Sequence, residues 1–454
     1  MNKYDIVVIG AGDVGLSIAF NAASDGLKTA LIDKGNAGGT CVNNGCVPSK
    51  TLIYTADRII ETRENAKLGI HSEIRDIDFE AVMKRMRKVV SSGRASIIKA
   101  IKETGNLDFI NKECHFIDEH SLQAGESKIR GKKIFIASGA RPSIPDIKGL
   151  DTIPYLTNES VLQLRERPAS MIFLGGGYIA LEYAHFFSAL GVKVSVIDRN
   201  QTLLRFGEPE ISKLLQKSIE KRIGLHMGAI PVAVRSGANG YTVLVRDVVS
   251  GKEREITAEA VMVSAGRESN ADLLKVESAG IETDNTNFIK VDEYLQTNRK
   301  HIWAVGDANG KAMFTHAGDK EAELAWHNAR HRKKIGMDFQ NVPYAVYTWP
   351  QIASIGLTEE QARKGRKILV GRALYSDTVM GEAMVETEGF AKSIVEKDTG
   401  RILGFHIIGP HAAMLIQEVI NAMLTGADVK SITRSMHIFP ALSNIIPETF
   451  NDLE

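Results

Sequence analysis

Short apolar runs that stop at glycine-rich turns recur along this chain. Asp5 to Ile9 is the first. It ends in Gly10-Ala11-Gly12-Asp13-Val14-Gly15, beyond which Val14, Ile18, Ala19 and Ala22 recur at helical spacing. The reading is strand, turn, helix. A second run, Thr29 to Ile32, closes on Asp33. The pattern then returns: Met171 to Leu174 leads into Gly175-Gly176-Gly177-Tyr178-Ile179-Ala180, and Val194 to Ile197 closes on Asp198. Asp33 stands 23 positions after Gly10, and Asp198 stands 23 after Gly175. Glycines at such a turn let a pyrophosphate approach a helix N-terminus, and an acid ending the next strand can accept ribose hydroxyls. Alanine for the third glycine, as at Ala180, is within the pattern. The duplication predicts two dinucleotide sites in one chain.

Further runs extend this frame. Ile134 to Ile136 runs into Ala137-Ser138-Gly139-Ala140-Arg141-Pro142 at an expected domain crossing, a strand from Val261 to Arg267 closes the second nucleotide region, and Ile302 to Val305 leads to Gly306-Asp307. From Pro343 the texture changes to apolar segments alternating with turns, as in Gln351 to Leu357 and Arg401 to Gly409, which suits an α+β domain. At 454 residues two or three domains are expected. The expected class is α/β, with two Rossmann-like dinucleotide-binding domains, at 1–148 with 270–338 and at 149–269, and a C-terminal α+β domain at 339–454.

The first copy alone is followed by cysteines, in Gly38-Gly39-Thr40-Cys41-Val42-Asn43-Asn44-Gly45-Cys46-Val47-Pro48-Ser49-Lys50. Pro48 falls where a first helical turn tolerates a missing N–H. A thiol at a helix start feels the positive end of the dipole, which favours the thiolate needed for disulfide exchange, and Lys50 adds a cation. Half of a zinc site and a pair of inert core thiols are the other readings. Only Cys114 remains elsewhere, with no paired metal-ligand spacing. Cys114 itself reads as a buried apolar residue. Because the cysteines follow only the first copy, the simplest inference puts a flavin dinucleotide there and a nicotinamide dinucleotide at the second.

Charge and composition narrow the setting. A net charge of +1 argues against nucleic acid or an anionic membrane as the main partner. Three cysteines make no secreted disulfide scaffold, no apolar run approaches membrane-spanning length, and Met1-Asn2-Lys3-Tyr4 shows no signal-peptide pattern, so a cytoplasmic protein is expected. The basic runs Arg330 to Lys334 and Arg363 to Lys367 read as solvated faces.

These stretches together resemble the pyridine nucleotide-disulfide oxidoreductases, the flavoprotein family of dihydrolipoyl dehydrogenase, glutathione reductase and mercuric reductase, over essentially the whole chain. The resemblance implies FAD contacts at Gly10, Gly12, Gly15, Asp33, Gly39, Thr40, Ser138, Gly139, Gly306 and Asp307. It implies nicotinamide-nucleotide contacts at Gly175, Gly177, Tyr178, Ile179 and Asp198, with Gly266 a further cofactor contact and Tyr178 covering the flavin until nicotinamide displaces it. Cys46 would be the thiolate against the flavin, Cys41 the interchange thiol, and Lys50 the partner of Glu182. The third domain would build a homodimer.

Asp198 favours the free ribose of NADH, yet Arg199 and Arg205 match the phosphate-binding arginines of NADPH-dependent members. With Asp198 free to turn outward, NADPH is expected, NADH being the alternative. The C-terminal segment departs from the family. Its thiol reductases carry His-x-His-Pro and a following glutamate, whereas here His437-Ile438-Phe439-Pro440 places Phe439 at the acid/base histidine and Asn444 at the glutamate. Neither carries a proton near neutral pH. His437 would face the other way along an extended segment, as an ordinary interface histidine. Mercuric reductases share the Phe-Pro segment but add a C-terminal cysteine pair, and this chain has no cysteine after Cys114.

The expected activity passes a hydride from NAD(P)H through FAD to the Cys41–Cys46 disulfide and on to a small acceptor such as a metal ion, a quinone or a small oxidant. A dihydrolipoyl dehydrogenase-like enzyme is the alternative within this class, and a redox-sensing flavoprotein with incidental turnover the alternative outside it. No resident metal is expected.

Overall fold

The computed structural model describes residues 1–451 and 453–454. From the N-terminus, β1 (Asn2–Ile9), α1 (Asp13–Ser24) and β2 (Thr29–Ile32) form the first strand-helix-strand unit, and α2 (Gly39–Asn44) and α3 (Cys46–Glu64) carry the two cysteines. The long α4 (Phe79–Glu103) precedes β3 (Leu107–Ile110), β4 (Cys114–Asp118), β5 (Ser121–Ala124) and β6 (Ser127–Ile136). β3, β2, β1 and β6 lie side by side in parallel, with Val8 between Leu31 and Phe135 in the register. Val7, Val8 and Leu31 are fully buried, as expected of parallel strands covered on both faces.

The short β7 (Ala140–Pro142) leads to the second copy: β8 (Ser170–Leu174), α5 (Tyr178–Ala189), β9 (Lys193–Asp198), α6 (Pro209–Ile219) and β10 (Ile223–Met227). An antiparallel meander, β11 (Ala229–Gly237), β12 (Gly240–Asp247) and β13 (Glu253–Ala258), interrupts it before β14 (Ala260–Val263) returns to complete the parallel order β10-β9-β8-β14. The strand expected from Val261 to Arg267 therefore stops at Val263. Ser264 and Ala265 leave the sheet, and β15 (Arg267–Ser269) pairs antiparallel with β7 instead.

Then β16 (Ile302–Ala304) adds to the free side of β6, and α7 (Thr315–Arg330) packs on α1. The C-terminal strands β17 (Tyr344–Val346), β18 (Gln351–Gly356), β19 (Ile368–Leu374), β20 (Phe390–Glu396) and β21 (Ile402–Gly409) form an antiparallel sheet in the order β17-β18-β21-β20-β19. Two compact units result, one of residues 1–51, 83–143 and 266–339, the other of 52–82, 144–265 and 340–454.

One buried charge in the second unit is fully answered. Lys392 on β20 is 2% exposed, and its Nζ lies 2.8 Å from Glu208, 2.6 Å from Glu210 and 2.6 Å from Glu359. These glutamates are the one group of carboxylates among the described residues spaced to hold a metal ion, and the ammonium occupies its centre. Burying a charge at this depth is tolerated because opposite charges and hydrogen bonds surround it.

Candidate redox and nucleotide sites

The first glycine turn is shaped by backbone contacts. Gly10 has φ +107°, and a Cβ there would lie 2.2 Å from the Ala137 carbonyl oxygen. A Cβ on Gly15 would lie 1.9 Å from the Gly10 carbonyl oxygen. Only hydrogen fits at either position. Asp33 closes the turn: Oδ2 accepts from the Ala11 N–H at 2.6 Å and Oδ1 from the Gly35 N–H at 2.6 Å.

Gly39, at φ +54°, brings the cysteine segment onto this turn. A Cβ on it would come within 2.6 Å of Gly12 Cα. Asn43, which is buried, locks the approach: its Nδ2 donates to the carbonyls of Asn36, Ala37 and Gly39, and its Oδ1 accepts from Arg94 Nε at 2.8 Å. Thr40 is exposed on the first turn of α2.

Cys46 is the first residue of α3, as the helix-start reading expected, whereas Cys41 lies inside the short α2. The two cysteines are in the dithiol form, Cys46 exposed and Cys41 half-buried. The Cys41 thiol is pushed far up by its hydrogen bond with Cys46 and by burial, so the helix-start argument for an easy thiolate does not extend to Cys41. In the reduced pair Cys41 keeps its proton. Cys46 Sγ also lies 3.4 Å from Thr315 Oγ1, the first residue of α7. Cys114 is buried, its thiol pushed up to about 12 mainly by desolvation, as suits an inert apolar residue.

Beside the turn, Ser138 Oγ is buried without a hydrogen-bond partner among the described residues. Gly139 (φ +64°) and Gly266 (φ +125°) both face open space where a Cβ would stand. Gly306 (φ +64°) places Asp307, whose carboxyl is raised by burial against the pull of Arg267, 3.4 Å away. Gly266 and Arg267 belong to this first unit.

The second turn repeats the first. Gly175 has φ +107°, and a Cβ would lie 2.4 Å from the Ser264 carbonyl oxygen. Asp198 Oδ2 accepts from the Gly176 N–H at 2.6 Å, while Oδ1 accepts from Asn200 N–H and Nδ2, each at 2.7 Å. The aspartate is thus held inward by three donors, and the expectation that it turns outward is corrected. Gly177 faces open space at the start of α5, followed by the half-buried Tyr178 and Ile179. Arg199 and Arg205 are exposed, and neither pairs with a carboxylate among the described residues.

Further along α5, Glu182 is 5% exposed and its Oε1 accepts from the Tyr347 N–H at 3.1 Å. One turn on, the fully buried His185 has Nε2 2.9 Å from Asp57 Oδ1 and Nδ1 3.3 Å from Arg222 Nη1. Arg222 can only donate, so Nδ1 accepts and Nε2–H donates to Asp57: the ring is neutral. Burial holds its pKa below the usual value. Lys50 lies in the first unit and Glu182 in the second.

At the C-terminal segment Phe439 is 73% exposed. Asn444 folds onto its own loop, accepting from Ala441 N–H at 2.9 Å and donating to the Ile438 carbonyl at 3.2 Å. His437 Nε2 is 2.9 Å from Glu418 Oε1.

Two family profiles account for most of the chain. Pyridine nucleotide-disulphide oxidoreductase matches residues 4–329, and the dimerisation domain of the same family matches residues 342–450. The chain belongs to this family. The mercuric reductase of Lysinibacillus sphaericus is 32% identical over 438 residues, 96% of this chain and 80% of that protein. The dihydrolipoyl dehydrogenase of Chlamydia trachomatis is 34% identical over 457 residues, 99% and 97% of the two chains. Among solved structures, the Cu(II) complex of HOCl-induced flavoprotein disulfide reductase RclA from Escherichia coli superposes with a TM-score of 0.89 at 29% identity, covering 99% of each chain.

Members of the family depend on FAD and use NAD(P)H, and this protein is an NAD(P)H-dependent flavoprotein disulfide oxidoreductase. Among the described residues no helix is long and apolar enough to cross a membrane.

Proposed function

We propose that the enzyme uses NADPH to reduce a thiophilic metal ion, Cu(II) being the leading candidate, through the Cys41–Cys46 pair. The observation that carries this reading is the C-terminal segment: Phe439 has no proton to give, the Asn444 amide is committed to its own loop, and His437 is committed to Glu418. Thiol-disulfide exchange needs a positioned proton carrier, whose loss costs roughly 10²–10⁴-fold. Reduction of a metal cation needs electrons and no proton delivery. The mercuric reductase and the Cu(II)-bound flavoprotein among the similar proteins support a metal acceptor.

Bound FAD would supply two-electron transfer between nicotinamide and the cysteine pair. Its phosphates and ribose would be held by the Gly10–Gly15 turn, Asp33, Gly39, Thr40, Gly306 and Asp307, and its ring by Ser138, Gly139, Gly266 and Lys50. The unsatisfied Ser138 hydroxyl and the open space at Gly139 and Gly266 fit such a group. Cys46, exposed at the start of α3, presents the thiolate, and Cys41 retains its proton until a metal ion displaces it. The nicotinamide nucleotide would be held by Gly175, Gly177, Tyr178 and Ile179, with Asp198 at its ribose and Arg199 and Arg205 at the 2′-phosphate. Lys50 and Glu182 would be the further residues that act in the transfer. One NADPH yields two electrons and one proton and reduces two Cu(II) to two Cu(I).

Residues 1–148 with 270–338 would be the flavin domain, 149–269 the nicotinamide domain and 339–454 a homodimer-forming domain. The matching dimerisation profile and the exposed Met436 and Ile438 support the dimer. The enzyme would work in the cytoplasm. A dihydrolipoyl dehydrogenase-like role is the second reading, favoured by the full-length likeness to the Chlamydia enzyme.

Steady-state NADPH oxidation with Cu(II), Hg(II), a quinone and oxidised lipoamide decides between them. The expected result is turnover with Cu(II) and little with lipoamide, the latter rising at least tenfold in Phe439→His/Asn444→Glu. Fast lipoamide turnover in the wild-type enzyme would overturn the metal reading.

A further inference from the structure

Behind the Gly306–Asp307 turn lies a carboxyl that none of the proposed chemistry uses. Glu321, on α7, is fully buried. Its Oε2 accepts from the Gly306 N–H at 2.8 Å and from Asn309 Nδ2 at 2.6 Å, and the same amide reaches the Ala304 carbonyl at 3.3 Å. The glutamate thus ties the end of β16 to the turn that presents Asp307. Its other oxygen, Oε1, is buried with no hydrogen-bond partner among the described residues. A carboxylate with one oxygen left dry is far costlier than a neutral carboxyl, so the group favours keeping its proton.

The charges around it push the same way. From the turn, Asp307 acts on it, and Arg267 lies 3.4 Å from that aspartate. α1 carries one charged residue, Asp13, which acts on Asp319, while Asp25 just past its end pairs with Arg330. On α7 itself His316, Asp319, Lys320 and Glu323 are exposed, the last two paired with each other. Among the described residues no cation acts on Glu321 directly. Burial, with Asp307 adding to it, lifts its carboxyl to about 7.

We infer that Glu321 is a positioning residue for the flavin: Oε2 holds the Gly306–Asp307 turn in shape, and Oε1 carries a proton while the cofactor is bound. Ionisation sets a second negative charge behind Asp307 and the cofactor's phosphates, and draws water toward a dry pocket, so the turn loosens. FAD is therefore held more tightly below neutral pH than above it. This rests on the reading of Asp307 as a flavin contact.

The test is FAD retention by the holoenzyme, followed by fluorescence of released flavin at pH 6, 7, 8 and 9. Wild type is expected to lose about tenfold in affinity across that range, the effect of a difference of one pKa unit between free and loaded protein. Glu321→Gln, neutral throughout, is expected to show a flat profile. A flat wild-type profile, or the wild-type slope persisting in Glu321→Gln, would overturn the inference, and the wild-type arm decides even if the variant folds poorly. Asp307→Ala separates the premise: unchanged FAD retention there removes Asp307 as a contact, whereas weakened retention beside an unaltered slope in Glu321→Gln sinks the role of Glu321 alone.

Discussion

The two glycine turns are nearly the same object built twice. Both first glycines have φ +107° against a facing carbonyl oxygen, and both strand-end aspartates accept one backbone N–H from inside the turn and another two residues beyond the acid. They differ in what comes next. At the first turn Gly12 meets Gly39, and the chain continues into the cysteine helix. At the second, Gly177 faces open space, and the residue after the acid is an exposed arginine. A common scaffold fixes the geometry of the turn, and on the function proposed above the neighbouring segment would decide whether it serves a resident cofactor or one that comes and goes.

The sharpest way to break the comparison is at the third position of the turn. Gly15→Ala forces a Cβ to within 1.9 Å of a backbone oxygen, which no side-chain adjustment relieves, whereas the second copy already carries Ala180. Overpacking of this kind costs roughly 1–3 kcal/mol or more. Gly15→Ala is expected to come off the column with at least tenfold less FAD, while Ala180→Gly keeps full flavin absorbance; normal FAD content in Gly15→Ala would undo the equivalence of turn and cofactor site.

A smaller effect is expected from the arginines. Replacing both Arg199 and Arg205 by Ala should lower kcat/KM for NADPH by roughly 10²-fold, about the worth of two charge-assisted contacts at 1–2 kcal/mol each, and leave NADH within a factor of a few. Equal losses with both nucleotides would mean that the inward-held Asp198, not the arginines, governs the choice.

The smallest is a matter of pH. His185 is buried neutral with a depressed pKa, so below about pH 6.5 the unfolded chain takes up a proton that the folded one refuses. Its contribution is present above that pH and is lost as pH falls toward the folded value. Glutamine can both donate to Asp57 and accept from Arg222 without titrating. Thermal scans from pH 7.5 to 5.5 should show a gentler fall in melting temperature for His185→Gln, by roughly 2–4 °C per kcal/mol recovered; parallel slopes would rule His185 out as a contributor.

The glycine turns, their acids and the cysteine helix were legible because each is a local pattern: strand, turn and helix within some 30 residues. Thr315, which meets Cys46 across 269 positions, was not, nor were Glu321 beneath Gly306 or Asp57 against His185. These are single polar side chains brought together by sheet order, and no periodicity marks them. Asp198 failed differently. The sequence places it at the strand end, but only the folded turn reveals that Gly176 and Asn200 have already claimed both oxygens.

The interruption of the first unit has a consequence for how the enzyme comes into being. β6 is finished at Ile136, yet the strand that covers its free side, β16, begins at Ile302, after the whole second parallel sheet has been made. On a ribosome adding about 5–20 residues per second, the edge from Ile134 to Ile136 waits roughly 8–30 seconds for Trp303 and its neighbours. An exposed apolar edge held open that long is a template for pairing with another nascent chain. The length of chain between β6 and β16 sets how long that edge stays uncovered.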